Sequence, residues 1–116
     1  TQSRSQEEIW QKNEEEIQYQ IATQRRRYQA TQVNLKKKLE SLRDIISLNQ
    51  DQIQSATKRV REEQRLYNQG RSQLTVVIQA KDNEQNSRIR LLENQVQWHL
   101  LYYQALALND GLENQK

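Results

Sequence analysis

The 116-residue sequence contains no cysteine and no proline, and its only glycines are Gly70 and Gly111. Without cysteine, the chain can form no disulfide and offers no thiol chemistry. The scarcity of proline and glycine argues against a fold with many turns. Only 34% of the residues are hydrophobic, against ~45–50% in a typical globular domain, and no apolar run approaches the ~20 residues needed to span a bilayer. The sequence therefore predicts neither a deep core nor a membrane-crossing segment.

The most abundant residues of the chain favour α-helix. Gln, Glu, Lys and Arg are abundant and are good helix formers, and long apolar periodicity argues against the alternative of a disordered chain. Before Gly70, apolar residues recur every seven positions in two series: Ile21, Tyr28, Leu35, Leu42, Ala56, and Leu39, Ile46, Ile53, Val60, Tyr67. A third series follows, with companions at Leu74 and Tyr102: Val77, Leu91, Trp98, Ala105, Leu112. Such heptads predict an all-α coiled coil, with weak packing in the polar stretch 81–86.

Gly70 is the predicted hairpin turn, since glycine tolerates φ > 0 where a chain reverses. We expect a long first helix at 1–69, a tip at 70–73, a shorter second helix at 74–110 and a tail at 111–116. Ser72 or Thr75 is the expected cap at the start of the second helix, and the Asn-Asp-Gly sequence ending at Gly111 is its expected stop. A short link makes the two helices antiparallel neighbours.

The two predicted arms differ in length. At 1.5 Å per residue they span about 100 Å and about 55 Å, so the second helix covers the first only to about residue 32. The segment before it carries apolar residues without a predicted partner: Ile9, Trp10, Ile17, Ile21, Tyr28. We expect another helix to cover them, supplied by the rest of a longer parent protein or by a neighbouring copy.

Catalysis and nucleic-acid binding are disfavoured. The sequence has no nucleophile–base pair, phosphate loop or G-x-S-x-G elbow, and a helical rod offers no pocket, so we predict neither an enzyme nor a cofactor. The single histidine, His99, cannot build a typical zinc site alone. The basic runs 25–27 and 36–38 fan out around a helix and are offset by acidic clusters, so a solvated surface is expected. Trp10 and Trp98 are expected to pack against helices.

Around the turn, the sequence resembles the TolC family of outer-membrane efflux proteins. The resemblance covers about residues 60–112 and consists of an aromatic residue, a glycine, a short polar stretch, an aliphatic pair, a small residue, a polar helix and a tyrosine-containing apolar end. These elements are Tyr67, Gly70, Ser72, Val77–Ile78, Ala80, Tyr102–Tyr103, Leu106 and Gly111. The form of the tip is closer to the second of the two hairpins that each protomer of that family carries.

The resemblance implies a passive channel for efflux or type I secretion. In that family three protomers form an α-helical tunnel in the periplasm, an inner-membrane transporter supplies energy, and a periplasmic adaptor docks at the hairpin tips. It implies adaptor docking at Gly70, Ser72, Leu74, Val77 and Ile78. It also implies a gate near Tyr67, Val76 and Gln79. The family's best-known members carry acidic residues at the last two of these positions, so the resemblance does not extend to an acidic selectivity ring.

Other interpretations of the same residues remain open. The apolar tip residues can simply close the hairpin, Gly70 can be a turn without being a gating hinge, and Tyr67 can be an ordinary packing residue. Two alternatives to the channel also remain: the coiled-coil hairpin of a periplasmic adaptor, or a generic coiled-coil scaffold.

Overall fold

A computed structural model describes the backbone of residues 2–114 and the side chains of residues 3–111. It contains two helices, α1 at Gln2–Asn68 and α2 at Leu74–Asn114, and no strand within the described range. The predicted all-α hairpin with unequal arms is confirmed, with 67 residues in α1 and 41 in α2. Thr1, Gln115 and Lys116, which belong to the predicted first helix and tail, lie outside the described residues.

The turn is built on the end of α1. The Gly70 amide donates to the Tyr67 carbonyl at 2.9 Å, and the Arg71 amide donates to the Leu66 carbonyl at 2.8 Å. This pair of hydrogen bonds, with a left-handed residue between, is the Schellman motif that satisfies the last carbonyls of a helix. Gly70 is that residue, with φ of +70°. The chain therefore reverses where the sequence predicts, for the conformational reason expected of glycine.

The predicted start of α2 at residue 74 agrees with the structure, but the predicted cap and the predicted end of α2 are wrong. Neither predicted cap occupies the N-cap position: Ser72 lies one residue before it, with its hydroxyl donating to the Glu63 carboxylate at 3.0 Å, and Thr75 already lies inside the first turn. Gln73 precedes the helix, and its carbonyl accepts the first hydrogen bond from the Val76 amide at 3.1 Å. At the other end, α2 continues through Gly111 to Asn114. Glycine permits a left-handed stop but does not impose one, and the residues that follow are compatible with helix.

Residues Lys37–Tyr103 form one compact unit, here called the tip unit. Inside it, buried and half-buried side chains recur at alternating steps of three and four on each helix. We call these rows the inner faces of the tip unit. On α1 the inner face consists of Leu39, Leu42, Ile46, Asn49, Ile53, Ala56, Val60 and Glu63. On α2 it consists of Val77, Ala80, Glu84, Ser87, Leu91, Asn94, Trp98 and Leu101.

Within the tip unit these rows confirm the heptad prediction for most positions and correct it at three. Tyr67, predicted to continue the α1 series, is exposed, as are Leu74 and Tyr102, the predicted companions on α2. The companion row is instead Ala80, Ser87, Asn94 and Leu101. In the polar stretch 81–86, only Glu84 turns inward and is half-buried. The inner face of α2 is thus apolar and buried at Val77 and Ala80, polar at Glu84 and Ser87, and apolar again toward Leu101.

The second unit comprises the described residues of Thr1–Lys36 and Gln104–Lys116 and is called the terminal unit. The Gln32 side-chain amide donates to the Asn109 side-chain oxygen at 3.2 Å, so α2 reaches the position on α1 that the arm lengths predict. Beyond it, Ile9, Trp10, Ile17 and Ile21 are exposed, Trp10 at 73%. Tyr28, also predicted to lack a partner, is half-buried. Leu112 lies outside the residues whose side chains are described.

Candidate functional site: the hairpin tip and the two faces of α2

The predicted docking residues of the tip divide into a packed group and an exposed group. Val77 is 2% exposed and sits in the inner face, so its side chain closes the hairpin. Leu74 and Ile78 flank it and are 52% and 48% exposed. Ser72 is half-buried and held by Glu63, and Gly70 provides the turn. The apolar surface available at the tip therefore consists of Leu74 and Ile78.

The three predicted gate residues differ in exposure and in polarity. Tyr67 is 39% exposed and lies at the last turn of α1. Gln79 is exposed, whereas Val76, in the first turn of α2, is half-buried. These side chains cannot build a carboxylate ring, because valine and glutamine stand at the positions where the resembled family has acids. Tyr67 and Gln79 can present only a phenol and an amide to a neighbour.

A second apolar row runs along α2 within the tip unit, on the side away from the inner face. We call it the outer stripe. Its members are at least half exposed, Leu92 at 61% and Tyr103 at 65%. The outer stripe consists of Ile89, Leu92, Val96, Leu100 and Tyr103. It has the same three-and-four spacing that places residues on one side of a helix, and it extends over about 21 Å at 1.5 Å per residue.

The two rows of α2 lie on opposite sides of the helix. With about 100° between consecutive residues, the mean direction of the outer stripe differs by about 180° from that of Leu91, Asn94, Trp98 and Leu101 on the inner face. A helix with only one neighbour needs one apolar row. In a closed bundle of three or four helices, the two neighbours of a helix lie only about 60–90° apart. Two opposed rows are typical of a helix in a layer, with a neighbour on each side.

The inner face also contains a polar pair that a search for apolar heptads does not find. Asn49 is buried, at 7% exposure, and its side-chain oxygen accepts a hydrogen bond from the Asn94 amide of the facing helix at 2.6 Å. The Asn49 amide donates in turn to the Gln52 side-chain oxygen at 3.2 Å. The signal in the sequence is the heptad itself, because Asn49 occupies the vacant seventh position between Leu42 and Ala56.

The charged groups lie mostly at the surface. Near the tip, the Arg65 guanidinium contacts the Glu62 carboxylate at 2.6 Å. The hydrogen bond from Arg65 is the main reason that the pKa of Glu62 lies below its usual value, and the same bond raises the pKa of Arg65. All six residues of the basic runs 25–27 and 36–38 are exposed. Consecutive residues of a helix point about 100° apart, so each run spreads around α1 instead of forming a one-sided basic stripe.

The aromatic residues at the far end of the tip unit pack on one another. The Trp98 and Tyr102 rings stack, with centroids 5.2 Å apart and planes 9° from parallel. His99 meets the edge of Trp98 at 5.3 Å. One helical turn separates Trp98 from Tyr102, so the stack connects the inner face with the exposed side of the same helix. The predicted helix packing of Trp98 holds, while Trp10 remains exposed.

Among the side chains of residues 3–111, no group of three or more His, Asp or Glu is arranged to hold a metal ion. None of the described helices has an apolar stretch sufficient to cross a membrane. No protein-family model matches the chain, no curated protein matches its sequence, and no solved structure matches its fold. These comparisons therefore identify no family.

Proposed function

We propose that this chain is a tunnel-wall hairpin of an outer-membrane channel in a tripartite efflux or type I secretion system. It would act as a passive conduit in the periplasm, as part of a homotrimer formed by a longer parent protein. An adaptor would dock at its tip, and an inner-membrane transporter would supply the energy. The observation that carries the proposal is the pair of opposed apolar rows on α2.

A tube wall made of helices is a layer closed on itself, so each helix in it has one neighbour on each side. The inner face of α2 is occupied by α1 of the same hairpin, which it contacts through the Asn94–Asn49 hydrogen bond. The outer stripe, with Leu92 61% exposed, is available to the next helix of the wall. Burying an apolar row of this kind stabilises helix association by about 25 cal/mol per Å² removed from water.

The tip supports the docking role. Val77 is committed to hairpin closure, while Leu74 and Ile78 remain exposed on either side of it. Two exposed aliphatic side chains beside a rigid turn can pack into the groove of a partner's helix. Gly70 fixes the turn through its left-handed conformation, so the pair is presented in one orientation.

The adaptor hairpin is the second candidate, because an adaptor would also present exposed apolar residues at its tip. A free-standing two-helix hairpin needs only one apolar row, so the outer stripe favours the channel. The same reasoning favours the channel over a generic two-helix scaffold. Sequence on both sides of the chain in its parent would separate the two: strands of an outer-membrane channel support the first, and a β-rich lipoyl-like domain supports the second.

A functional test uses cells that express the full-length parent. Leu74→Glu places a charge on the exposed tip surface, where helix packing would require its desolvation. We expect ethidium efflux to fall severalfold while the parent still purifies as a trimer. Gln97→Glu is the matched control and should leave efflux unchanged, because Gln97 is exposed and points about 90° away from both the inner face and the outer stripe of α2. Normal efflux in Leu74→Glu cells would remove the docking role.

A further inference from the structure

We infer that the pair formed by the buried Asn49 and the half-buried Asn94 sets the register of the two helices in the tip unit. The pair joins the inner faces of α1 and α2 by a side-chain hydrogen bond, with 2.6 Å between the Asn94 nitrogen and the Asn49 oxygen. Such a contact is directional, whereas the apolar contacts around it are not. It can therefore distinguish between alignments that bury similar apolar area.

The surrounding residues leave the register weakly specified. Antiparallel helices pair so that a step forward on one matches a step back on the other. From the Asn49–Asn94 contact, Leu42 on α1 lies opposite Leu101 on α2, and one heptad toward the tip Ala56 lies opposite Ser87. Aliphatic and small side chains of this kind pack acceptably in several alignments, as hydrophobic cores of roughly constant volume do.

The asparagine pair penalises the alternatives. If α2 slipped by one heptad, Asn49 would lie opposite Leu101 or Ser87, and Asn94 would lie opposite Ala56 or Leu42. In three of these four pairings the amide faces a side chain that can neither donate nor accept a hydrogen bond. A buried amide without a partner loses its solvation without compensation. In the observed register both Asn49 groups are satisfied, the oxygen by Asn94 and the nitrogen by Gln52.

This role of the pair does not depend on the proposed function, since any antiparallel hairpin needs one alignment. For a tip that presents Leu74 and Ile78, however, register also fixes the height of these residues relative to α1. A slip of seven residues displaces one helix along the other by about 10 Å. The asparagine pair therefore positions the residues of the tip, although it does not contact them, because it fixes how the two helices align.

The test measures alignment directly in the full 116-residue chain. Because the chain has no cysteine, Ser41→Cys/Gln85→Cys gives two unique sites for spin labels on the exposed surfaces of α1 and α2. These positions are offset along the helix axis, so a slip changes their separation by several ångströms. Labelled chain is diluted with unlabelled chain so that double electron–electron resonance reports distances within one molecule.

We expect one narrow distance distribution in the labelled chain that keeps both asparagines. Replacing them, by Asn49→Leu/Asn94→Leu, should add a second population displaced by the slip, although the hairpin stays helical and its melting temperature does not fall. Adding Leu42→Asn/Leu101→Asn to that variant moves the pair one heptad, to positions that face each other in the same register, and should restore the single distribution.

Two outcomes overturn the inference. One is an unchanged single distribution in Asn49→Leu/Asn94→Leu, which would mean that the turn or the apolar residues alone fix the register. The other is a second population that persists after the pair is moved, which would mean that polarity in the inner face is not what selects the alignment. Circular dichroism of each variant checks that it is as helical as the chain that keeps both asparagines.

Discussion

Replacing each of the two glycines by alanine should change the stability of the hairpin in opposite directions. Gly70 has φ of +70°, whereas Gly111 lies inside α2 with no positive φ. At both positions an added β-carbon would meet nothing within 4 Å. Crowding therefore plays no part, and Gly70→Ala and Gly111→Ala differ only in backbone conformation.

The magnitudes follow from that difference. Alanine in the left-handed region costs about 1–2 kcal/mol, and the reduced freedom of the unfolded chain returns roughly 0.4–1 kcal/mol, so Gly70→Ala should destabilise the hairpin by about 1 kcal/mol. In a helix, alanine is favoured over glycine by up to about 1 kcal/mol. Gly111→Ala should therefore stabilise the chain, by less than that amount because Asn114 ends the described helix only three residues later.

Urea unfolding followed by far-UV circular dichroism measures both effects. For slopes of about 1–3 kcal/mol per molar urea, the Gly70→Ala midpoint should fall by about 0.5 M, and the Gly111→Ala midpoint should rise. Gly70→Asn is the control, because asparagine tolerates the left-handed region and should lose less than alanine. A Gly70→Ala midpoint equal to or above the wild-type value would refute the Schellman turn. A lower midpoint for Gly111→Ala would refute a helix that continues through this residue.

Three further predictions concern packing, charge and the outer stripe. Val77→Ala should cost about 2 kcal/mol on thermal unfolding because the side chain is buried, and Ile78→Ala, its exposed neighbour, should cost less than half as much. Because the pKa of Glu62 is lowered in the folded state, its ion pair contributes at neutral pH and is lost as the pH falls through that lowered value. Carboxyl NMR titration should show the pKa of Glu62 return to its ordinary range in Arg65→Gln, and no change would contradict the contact. Leu92→Glu should leave the free energy of unfolding of the isolated chain within about 0.5 kcal/mol of wild type, since its side chain does not hold the hairpin together; a large loss would contradict the outward placement.

The hairpin can be predicted from the sequence because its determinants are local and repetitive. A seven-residue apolar repeat, an isolated glycine and the absence of proline are enough to predict two helices and one turn. The details at the helix ends are harder. Ser72 has the chemistry of a cap, but the turn places it one residue before the N-cap, where its hydroxyl donates to Glu63 at 3.0 Å, and no local pattern reveals a partner nine residues away.

The Asn49–Asn94 pair and the outer stripe both escape prediction from the sequence, for a common reason. A search for apolar residues at heptad positions skips polar residues, so it omits Asn49 from the series although the spacing fits. The same search follows one face at a time, so it does not recognise the residues opposite the inner face of α2 as a second row. Their spacing, as in Ile89, Leu92 and Val96, is visible in the sequence. Their significance depends on the orientation of the first row, which the structure supplies.

The proposed function requires that α2 has a neighbouring helix on each of two opposite sides. A cysteine accessibility scan of the assembled parent protein tests this requirement. Single cysteines are placed along positions 88–103, and maleimide labelling rates are measured in the native envelope and in the isolated 116-residue chain. We predict that cysteines at the Leu92 and Val96 positions label readily in the isolated chain but slowly in the assembly, which then shows two protected sides about 180° apart. Labelling of these positions in the assembly as fast as that of the Gln97 position, which is exposed and lies about 90° from both rows, would contradict a helix on the second side.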